Sequence, residues 1–283
     1  MASKESASGP PAPTSFGPVF TFSALYLAIA YFGLLVLPRL DVGLPVLLGA
    51  FTVLLLAAFV AVAVGLLLAL VRLPVPAWGQ VVGTLLGTAL VLAGKKYGPV
   101  PLYPVADYLI VVTAALFGGL IARLVRERNL LVPVAVVAAA VDVWGVYWGF
   151  VAEVSKKAPK VVEHFSSSVP VPKAAHLPLP SLEAMGIGDF LFTAVYLAAV
   201  WRLGMSTRRT VVGIVVAVLL SPLTFLLLPR LQALPGLPFI GLGVIAANWK
   251  SFDFSREERF ALLWAALAAL AVIGSYLLLR RLF

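Results

Sequence analysis

Uncharged apolar runs of bilayer length dominate this chain. A helix needs about 20 apolar residues to cross the hydrocarbon core of a membrane. With 62% hydrophobic residues and a mean hydropathy of +1.06, the chain lies outside the range of soluble domains. Nine runs of spanning or near-spanning length cover residues 19–38, 44–71, 78–94, 104–122, 130–152, 184–201, 210–229, 232–248 and 260–279. The sequence therefore predicts an all-α polytopic membrane protein with about nine transmembrane helices.

The net charge of +9 is distributed over the short polar connections between these runs. This placement favours contact with lipid head groups, so we expect a lipid bilayer and no nucleic acid as a partner. If successive loops lie on alternate sides of the membrane, the side with the N-terminal tail and the second, fourth, sixth and eighth loops carries 11 Lys and Arg residues. The other side carries 10. The charges therefore leave the membrane orientation open, and the sequence does not fix the oligomeric state.

Three aspartates are the only charged residues within the nine runs: Asp107, Asp142 and Asp189. Asp107 is close to the start of its run, where a charge costs little, so we expect it to serve structure or topology. Asp142 and Asp189 lie deeper. Counted at 1.5 Å per residue, they are roughly 16 and 10 Å from the membrane surface at which the polar linker 153–183 joins their two runs. A charge at the bilayer centre costs about 2.5–3.5 kcal/mol on insertion scales. Two carboxylates that can meet there predict either aspartyl catalysis or proton- or cation-coupled transport.

Small and helix-breaking residues surround the two aspartates. Gly186 and Gly188 precede Asp189, which clears side chains from the approach to the carboxylate and loosens the helix there. Alanines and glycines share the helix face of Asp142 and favour close approach of another backbone. The segment 231–243 holds two prolines and three glycines, so either a kinked span or a broken helix is expected. Non-helical backbone at membrane depth must face protein or a water-filled cavity, and a broken helix would therefore line the site.

Other catalytic chemistries lack the residues that they need. Cysteine is absent, and the only histidines, His164 and His176, fall in a polar linker at 153–183. A thiolate nucleophile, an intramembrane serine–histidine dyad and a His-Glu-x-x-His zinc site are therefore excluded. We expect no metal ion and no cofactor.

Three motifs, in order along the chain, resemble those of the presenilin and signal peptide peptidase family of GxGD intramembrane aspartyl proteases. They are Asp142 within one run, Gly-Ile-Gly-Asp-Phe at 186–190 near the start of the next, and Ala-Leu-Pro at 233–235 two segments later. Val141 and Gln232 stand where the family usually has Tyr and Pro. The prepilin peptidases also use Gly-x-Gly-Asp, but the Asp-Phe context and the Ala-Leu-Pro segment favour the presenilin type.

This resemblance covers residues 130–248 and implies a prokaryotic-type presenilin homologue. It implies a presenilin-like fold with a broken helix near Ala-Leu-Pro, a multi-pass location in a prokaryotic cell membrane, and cleavage of transmembrane peptide substrates. The implied catalytic dyad is Asp142 and Asp189. The implied supporting residues are Gly186, Gly188, Ala233, Leu234 and Pro235.

The predicted organisation has three parts. Residues 1–18 form a disordered tail, 19–129 form N-terminal transmembrane helices, and 130–283 form a catalytic transmembrane region that contains the linker. The prolines and serines of the linker favour extended backbone between residues 165 and 180. The alternatives to a protease are a proton- or cation-coupled transporter that uses the same two aspartates and a catalytically silent scaffold.

Overall fold

A computed structural model of the chain describes residues 16–36, 39, 45–99, 102–149, 166–168, 183–221, 224, 234–264 and 267. Five helical segments in these ranges are long and apolar enough to cross a membrane. They are α1 (Gly17–Leu35), α2 (Pro45–Val71), α3 (Ala77–Tyr97), α4 (Tyr103–Ala122) and α5 (Leu131–Tyr147), the last preceded by a 3-10 turn at Arg128–Leu130. The chain is therefore a mostly helical, membrane-embedded protein.

Three shorter helices and one small sheet follow within the described ranges after Gly149. The helices are α6 (Ile187–Arg202), α7 (Thr207–Leu220) and α8 (Leu237–Ala247), and helical backbone resumes at 256–264. Strands β1 (Ser166–Ser168) and β2 (Glu183–Gly186) pair antiparallel, with Ser166 opposite Gly186. The large elements agree with the predicted helical class, while a short piece of sheet lies directly before the second aspartate.

The helices depart from the predicted runs at two places. The run 184–201 does not form one helix, because its first residues belong to β2 and α6 begins only at Ile187. Gly186 is the N-cap of α6, with extended backbone at φ −75° and ψ 163°. Gly186 therefore precedes the helix that it was expected to loosen, whereas Gly188 lies in the first turn of that helix. The run 232–248 yields only the 11-residue α8, since the described residues at 234–236 are not helical.

Several predictions lie wholly or partly outside the described residues. These are most of the tail at 1–18, most of the linker at 153–183, and the ends of the runs 210–229 and 260–279. Within the predicted tail, Gly17 already begins α1. The prediction of nine spans therefore stays a prediction.

Helix α6 lies at the centre of the packing and contacts α4, α2 and α7. Its residues 193–200 are all buried, as expected for a helix that is apolar all round and enclosed by others. Gly118 of α4 makes a close approach, since a Cβ there would lie 2.7 Å from Ala194 Cβ and 2.8 Å from Leu191 O. A small residue thus lets the two helix backbones come together.

Helix α8 joins the aspartate-bearing helix α5 to α7. A Cβ on Gly243 of α8 would lie 2.5 Å from Gly213 O of α7, so these two backbones are in contact. On the other side of α8, a Cβ on Gly241 would lie 3.2 Å from Ala135 Cβ of α5. Ala135 and Ala138 of α5 are both buried. Small residues of α5 therefore pack against the backbone of α8.

Hydrogen bonds join several helix ends at one side of the protein, which we call the basic face. Arg128, just before α5, donates through Nε to Leu203 O, just after α6, at 3.2 Å. Asn129 donates through Nδ2 to Asp253 O, beyond the end of α8, at 2.7 Å. The start of α5 and the ends of α6 and α8 therefore lie at a similar level. The connections at this face carry Arg72, Arg123, Arg126, Arg128, Arg202, Arg208, Arg209, Lys250, Arg256 and Arg259.

Candidate functional site

The N-terminus of α8 lies against Asp142 of α5. Leu237, the first residue of α8, donates its backbone N–H to Asp142 Oδ2 at 2.9 Å. The first N–H groups of a helix have no acceptor within the helix, and Pro238 has no N–H at all. The Asp142 carboxylate therefore accepts a hydrogen bond that the helix itself does not use. It also lies at the positive end of the helix dipole, which stabilises an anion.

Asp189 lies in the first turn of α6, at the third helical position. Its Oδ2 accepts the backbone N–H of Gly186, the N-cap, at 3.0 Å. A carboxylate at this position that bonds back to the N-cap is a known device for satisfying a free helix donor. One carboxylate oxygen of Asp189 is thus fixed by the helix start. The other oxygen, Oδ1, faces the turn that precedes α8.

Gly236 lies against the Asp189 carboxylate. A Cβ on this residue would lie 2.5 Å from Asp189 Oδ1 and 2.9 Å from Asp189 Cγ. The next residue, Leu237, holds Asp142. With ordinary backbone dimensions, these short links limit the distance from Asp142 Oδ2 to Asp189 Oδ1 to no more than about 9.5 Å. The structure therefore brings the two predicted aspartates together around one backbone turn, and we call them the aspartate pair.

The aspartate pair lies well inside the helical layer. Measured along the helices from the basic face, Asp142 is about 17 Å from the start of α5. Asp189 is about 20 Å from the end of α6, and Leu237 is about 15 Å from the end of α8. These similar depths explain why three separate elements meet at one point. These distances are half to two-thirds of the thickness of a bilayer hydrocarbon core, which is about 30 Å.

The predicted supporting residues have different surroundings. Gly186 contributes its N–H to Asp189, as described. A Cβ on Gly188 would meet no described atom within 4 Å, so close packing does not require glycine there. Pro235 is buried and Leu234 is half-buried in the non-helical stretch that leads into Gly236. Ala233 lies outside the described residues.

Two contributors were not singled out by the sequence reasoning. Gly236 was noted only as a helix breaker, yet its missing side chain makes room for Asp189. Leu237 was not considered individually, yet its backbone N–H donates to Asp142. The signal was present in Gly-Leu-Pro at 236–238, because proline in the first turn marks a helix start and a helix start has free N–H groups.

Asp107 is remote from this site and forms an ion pair with Lys95 across the turn between α3 and α4. Both side chains are largely buried, with 10% of Lys95 and 11% of Asp107 exposed. Lys95 Nζ also lies 5.5 Å from the ring centroid of Tyr103, within the range of a cation–π contact. Asp107 therefore has a structural partner.

Comparisons of the chain with protein-family models, with curated proteins and with solved structures found no match. The functional argument therefore depends on the residues and geometry of the site.

Proposed function

We propose that this protein is an intramembrane aspartyl protease of the presenilin and signal peptide peptidase type. The observation that carries the proposal is the convergence of the aspartate pair on the turn at Gly236 and Leu237. The limit of about 9.5 Å on the separation of the two carboxylate oxygens is compatible with one water held between them, as in other enzymes that use two carboxylates. The substrates are peptide bonds within transmembrane helices.

The reaction is general acid–base hydrolysis. Two close carboxylates share one proton, because both cannot easily ionise side by side. The ionised carboxylate removes a proton from water as the water oxygen attacks the scissile carbonyl carbon. The protonated carboxyl donates a hydrogen bond to the carbonyl oxygen as negative charge develops there. Collapse of the tetrahedral intermediate breaks the C–N bond, and the leaving amine takes a proton from the pair.

The surface beside the site supports a substrate that arrives from the lipid. On α5, Val141 and Trp144 flank Asp142 and are 59% and 51% exposed. Val137, one turn earlier, is 60% exposed. An apolar surface of this kind suits the side of a transmembrane helix. The depth of the aspartate pair matches a scissile bond within the hydrocarbon core rather than at its edge.

The small sheet supports a way to open the substrate helix. A helix hides its carbonyls in its own hydrogen bonds, so the scissile segment must unwind before attack. Strand β2 ends at Gly186, which is also bonded to Asp189. An extended substrate segment that adds to this two-stranded sheet would keep its backbone hydrogen-bonded while it enters the site. Leu237 and Pro238 are helical, so they do not offer a strand edge to the substrate.

The proposal also covers the number of membrane spans and the membrane in which they lie. A protease of this type has a multi-pass arrangement with about nine spans in a prokaryotic cell membrane. The five long apolar helices support several of these spans. At 11 residues, α8 is about 17 Å long and too short to span alone. A half-length helix whose N-terminus ends at the aspartate pair fits the expected broken helix.

The same half-helix also favours one alternative, a proton- or cation-coupled transporter. Secondary transporters place the ends of broken helices at substrate and ion sites near the bilayer midplane. The N-terminus of α8 at Asp142 has this form. A transporter requires no peptide cleavage, so the two functions are distinguished by a proteolysis assay.

The test is cleavage of a single-span reporter by the purified protein in lipid. Asp142→Ala and Asp189→Ala should each abolish cleavage, since either change removes half of the acid–base pair. The matched control is Lys95→Met/Asp107→Leu, which removes an ion pair away from the site without leaving a buried charge unpaired. Full cleavage by either alanine variant would refute the proposal, as would no cleavage by the unchanged protein.

A further inference from the structure

Helix α5 carries Asp142, yet one neighbour determines most of its position. Among the described elements, α5 packs mainly against α8 and touches α6 only lightly. The contact with α8 is made by small residues, since a Cβ on Gly241 would lie 3.2 Å from Ala135 Cβ. Small side chains form low ridges, which resist sliding along the helix axis less than large interlocking side chains do. The axial register of α5 therefore depends on polar contacts at the two ends of this helix pair.

One of these contacts is centred on Asn129, shortly before α5 begins. Its side chain pairs with the backbone of Asp253, beyond the end of α8. Nδ2 donates to Asp253 O at 2.7 Å, and Oδ1 accepts the Asp253 N–H at 3.2 Å. Nδ2 also donates to the two oxygens of the Glu258 carboxylate, at 3.3 and 3.4 Å. The side-chain amide thus uses both its donors and its acceptor, and we call this set of bonds the Asn129 contact.

The segment that receives Asn129 has a fixed shape of its own. Glu258 Oε2 accepts the Ser255 N–H at 2.7 Å, and Ser255 Oγ accepts the Glu258 N–H at 3.1 Å. This reciprocal pair forms a capping box at the start of the helical backbone at 256–264. Asn129 therefore binds to a preformed helix start, and the beginning of α5 is tied to the part of the chain that follows α8.

The second polar contact of this helix pair is at the aspartate pair, where Leu237 donates its N–H to Asp142 Oδ2 at 2.9 Å. It lies about 20 Å from Asn129 along α5. Because α5 and α8 run antiparallel, the two contacts are at opposite ends of one interface. A shift of α5 by one residue would move Asp142 by about 1.5 Å, which is enough to break its hydrogen bond. The Asn129 contact thus resists the motion that would separate Asp142 from Leu237.

We propose that Asn129 is a positioning residue for the aspartate pair. It does not reach the substrate, but it holds α5 at the height at which Asp142 meets the turn at Gly236 and Leu237. The effect of Asn129 on the rate of cleavage rests on the proposed proteolytic function, whereas its effect on the register of α5 and α8 does not. A displacement near 1 Å at a catalytic group can cost about 100-fold in rate, so loss of this register should lower kcat.

Disulfide formation measures the register directly, because the chain has no natural cysteine. In Ala135→Cys/Gly241→Cys the two Cβ atoms lie close to the separation of about 3.5–4.5 Å found in disulfides. The full-length protein in lipid nanodiscs is treated with a mild oxidant, and the loss of free thiols is followed by mass spectrometry. Asn129→Ala should slow formation of the bond, because the two sulfur atoms spend less time within reach. The matched control Thr207→Ala removes a 2.9 Å bond from Arg72 that joins α2 to α7 at the same face, and it should leave the rate unchanged.

An unchanged rate of disulfide formation in Asn129→Ala would overturn the proposal, whether or not the protein cleaves peptides. Equal slowing by Thr207→Ala would also overturn it, because it would indicate only a general loosening of the basic face. If the alanine variant does not fold, Asn129→Asp gives the same test. That variant keeps the acceptor for the Asp253 N–H, but it loses both donors and places a second carboxylate beside Glu258.

Cleavage of the single-span reporter tests the consequence for catalysis. Asn129→Ala should lower kcat roughly 10- to 100-fold, with KM unchanged because no substrate contact is removed. Rates are expressed per folded protein, so a loss of stability alone leaves kcat unaltered. The oxidised cysteine pair should restore kcat to Asn129→Ala, relative to the same pair in the otherwise unchanged chain, and reduction should remove this rescue. An unchanged kcat, or no rescue by the disulfide, would refute the positioning role. If the unchanged chain itself cleaves nothing, the protease is refuted, while the rate of disulfide formation still decides the role of Asn129 in the register.

Discussion

Replacing Gly236 with alanine places a methyl group against the Asp189 carboxylate. The new Cβ would lie 2.5 Å from Asp189 Oδ1 and 2.9 Å from Cγ, whereas an ordinary carbon–oxygen contact is about 3.3 Å or longer. The carboxylate must therefore move by roughly 0.8 Å. Its other oxygen is held by the N–H of Gly186 at 3.0 Å. Movement of the carboxyl group therefore stretches this bond and turns Asp189 away from the position that it shares with Asp142.

The expected effect on activity is larger than the effect on stability. A displacement near 1 Å at a catalytic group can cost about 100-fold in rate. Adding one methyl group to a packed site typically costs about 1–3 kcal/mol of unfolding free energy. We therefore expect Gly236→Ala to stay folded, with a modestly lower Tm, and to cleave a single-span reporter about 100-fold more slowly.

Two alanine variants serve as comparisons in the same assay. Gly94→Ala on α3 would place its Cβ 3.5 Å from Ala106 Cβ, an ordinary contact, and it should retain full activity. Gly188→Ala, with no described atom within 4 Å of its Cβ, should lose much less activity than Gly236→Ala. The reasoning is refuted if Gly236→Ala cleaves at the unchanged rate, or if Gly188→Ala loses as much activity at the same Tm.

Three further predictions concern the site, an ion pair and a helix start. The double alanine variant of the aspartate pair should be no less active than either single variant, because both residues act on one water; a much larger loss in the double variant would show that they act separately. Asp107→Ala should lower the unfolding free energy by about 3–5 kcal/mol, because it leaves Lys95 buried without its partner, and the added change Lys95→Met should restore most of it; equal stability of the single and double variants in denaturant titrations would contradict this. The pKa of Glu258 is lowered by hydrogen bonds, first from the backbone N–H of Ser255 and then from Asn129, so this carboxylate stabilises the helix start above the ordinary pKa of glutamate and loses that effect as pH falls. Glu258→Gln should remove this pH dependence of amide protection at Ser255 in hydrogen exchange, and an unchanged dependence would show that another group is responsible.

The general class and the two aspartates could be predicted from the sequence because both depend on strong local signals. A charge inside an apolar run is conspicuous, and a run of about 20 apolar residues has few alternatives to a membrane helix. The expectation that the two aspartates could meet came from counting 1.5 Å per residue to a shared linker. The structure brings Asp142 and Asp189 to one turn, although four of the residues counted as helix before Asp189 belong to β2.

The local backbone near the aspartates could not be read in the same way. Hydropathy does not distinguish a short strand from the first turn of a helix, so β2 and the start of α6 were included in one run. Whether Gly236 or Gly188 needs to be glycine depends on what lies across from each in space. That neighbour is Asp189 for Gly236, and it comes from a separate part of the chain. Single-sequence patterns carry no information on such a long-range contact.

The most direct test of the central claim compares peptide cleavage with ion movement in the same proteoliposomes. The purified protein is assayed from about pH 4 to pH 9 with a helical single-span substrate, while a dye reports proton flux. We expect a bell-shaped pH profile of cleavage, with loss of the anionic base at low pH and of the shared proton at high pH. Asp142→Asn and Asp189→Asn should abolish cleavage, and no proton flux should depend on these residues. Absence of cleavage at every pH, together with proton or cation movement that requires both aspartates, would contradict the protease and establish the transporter.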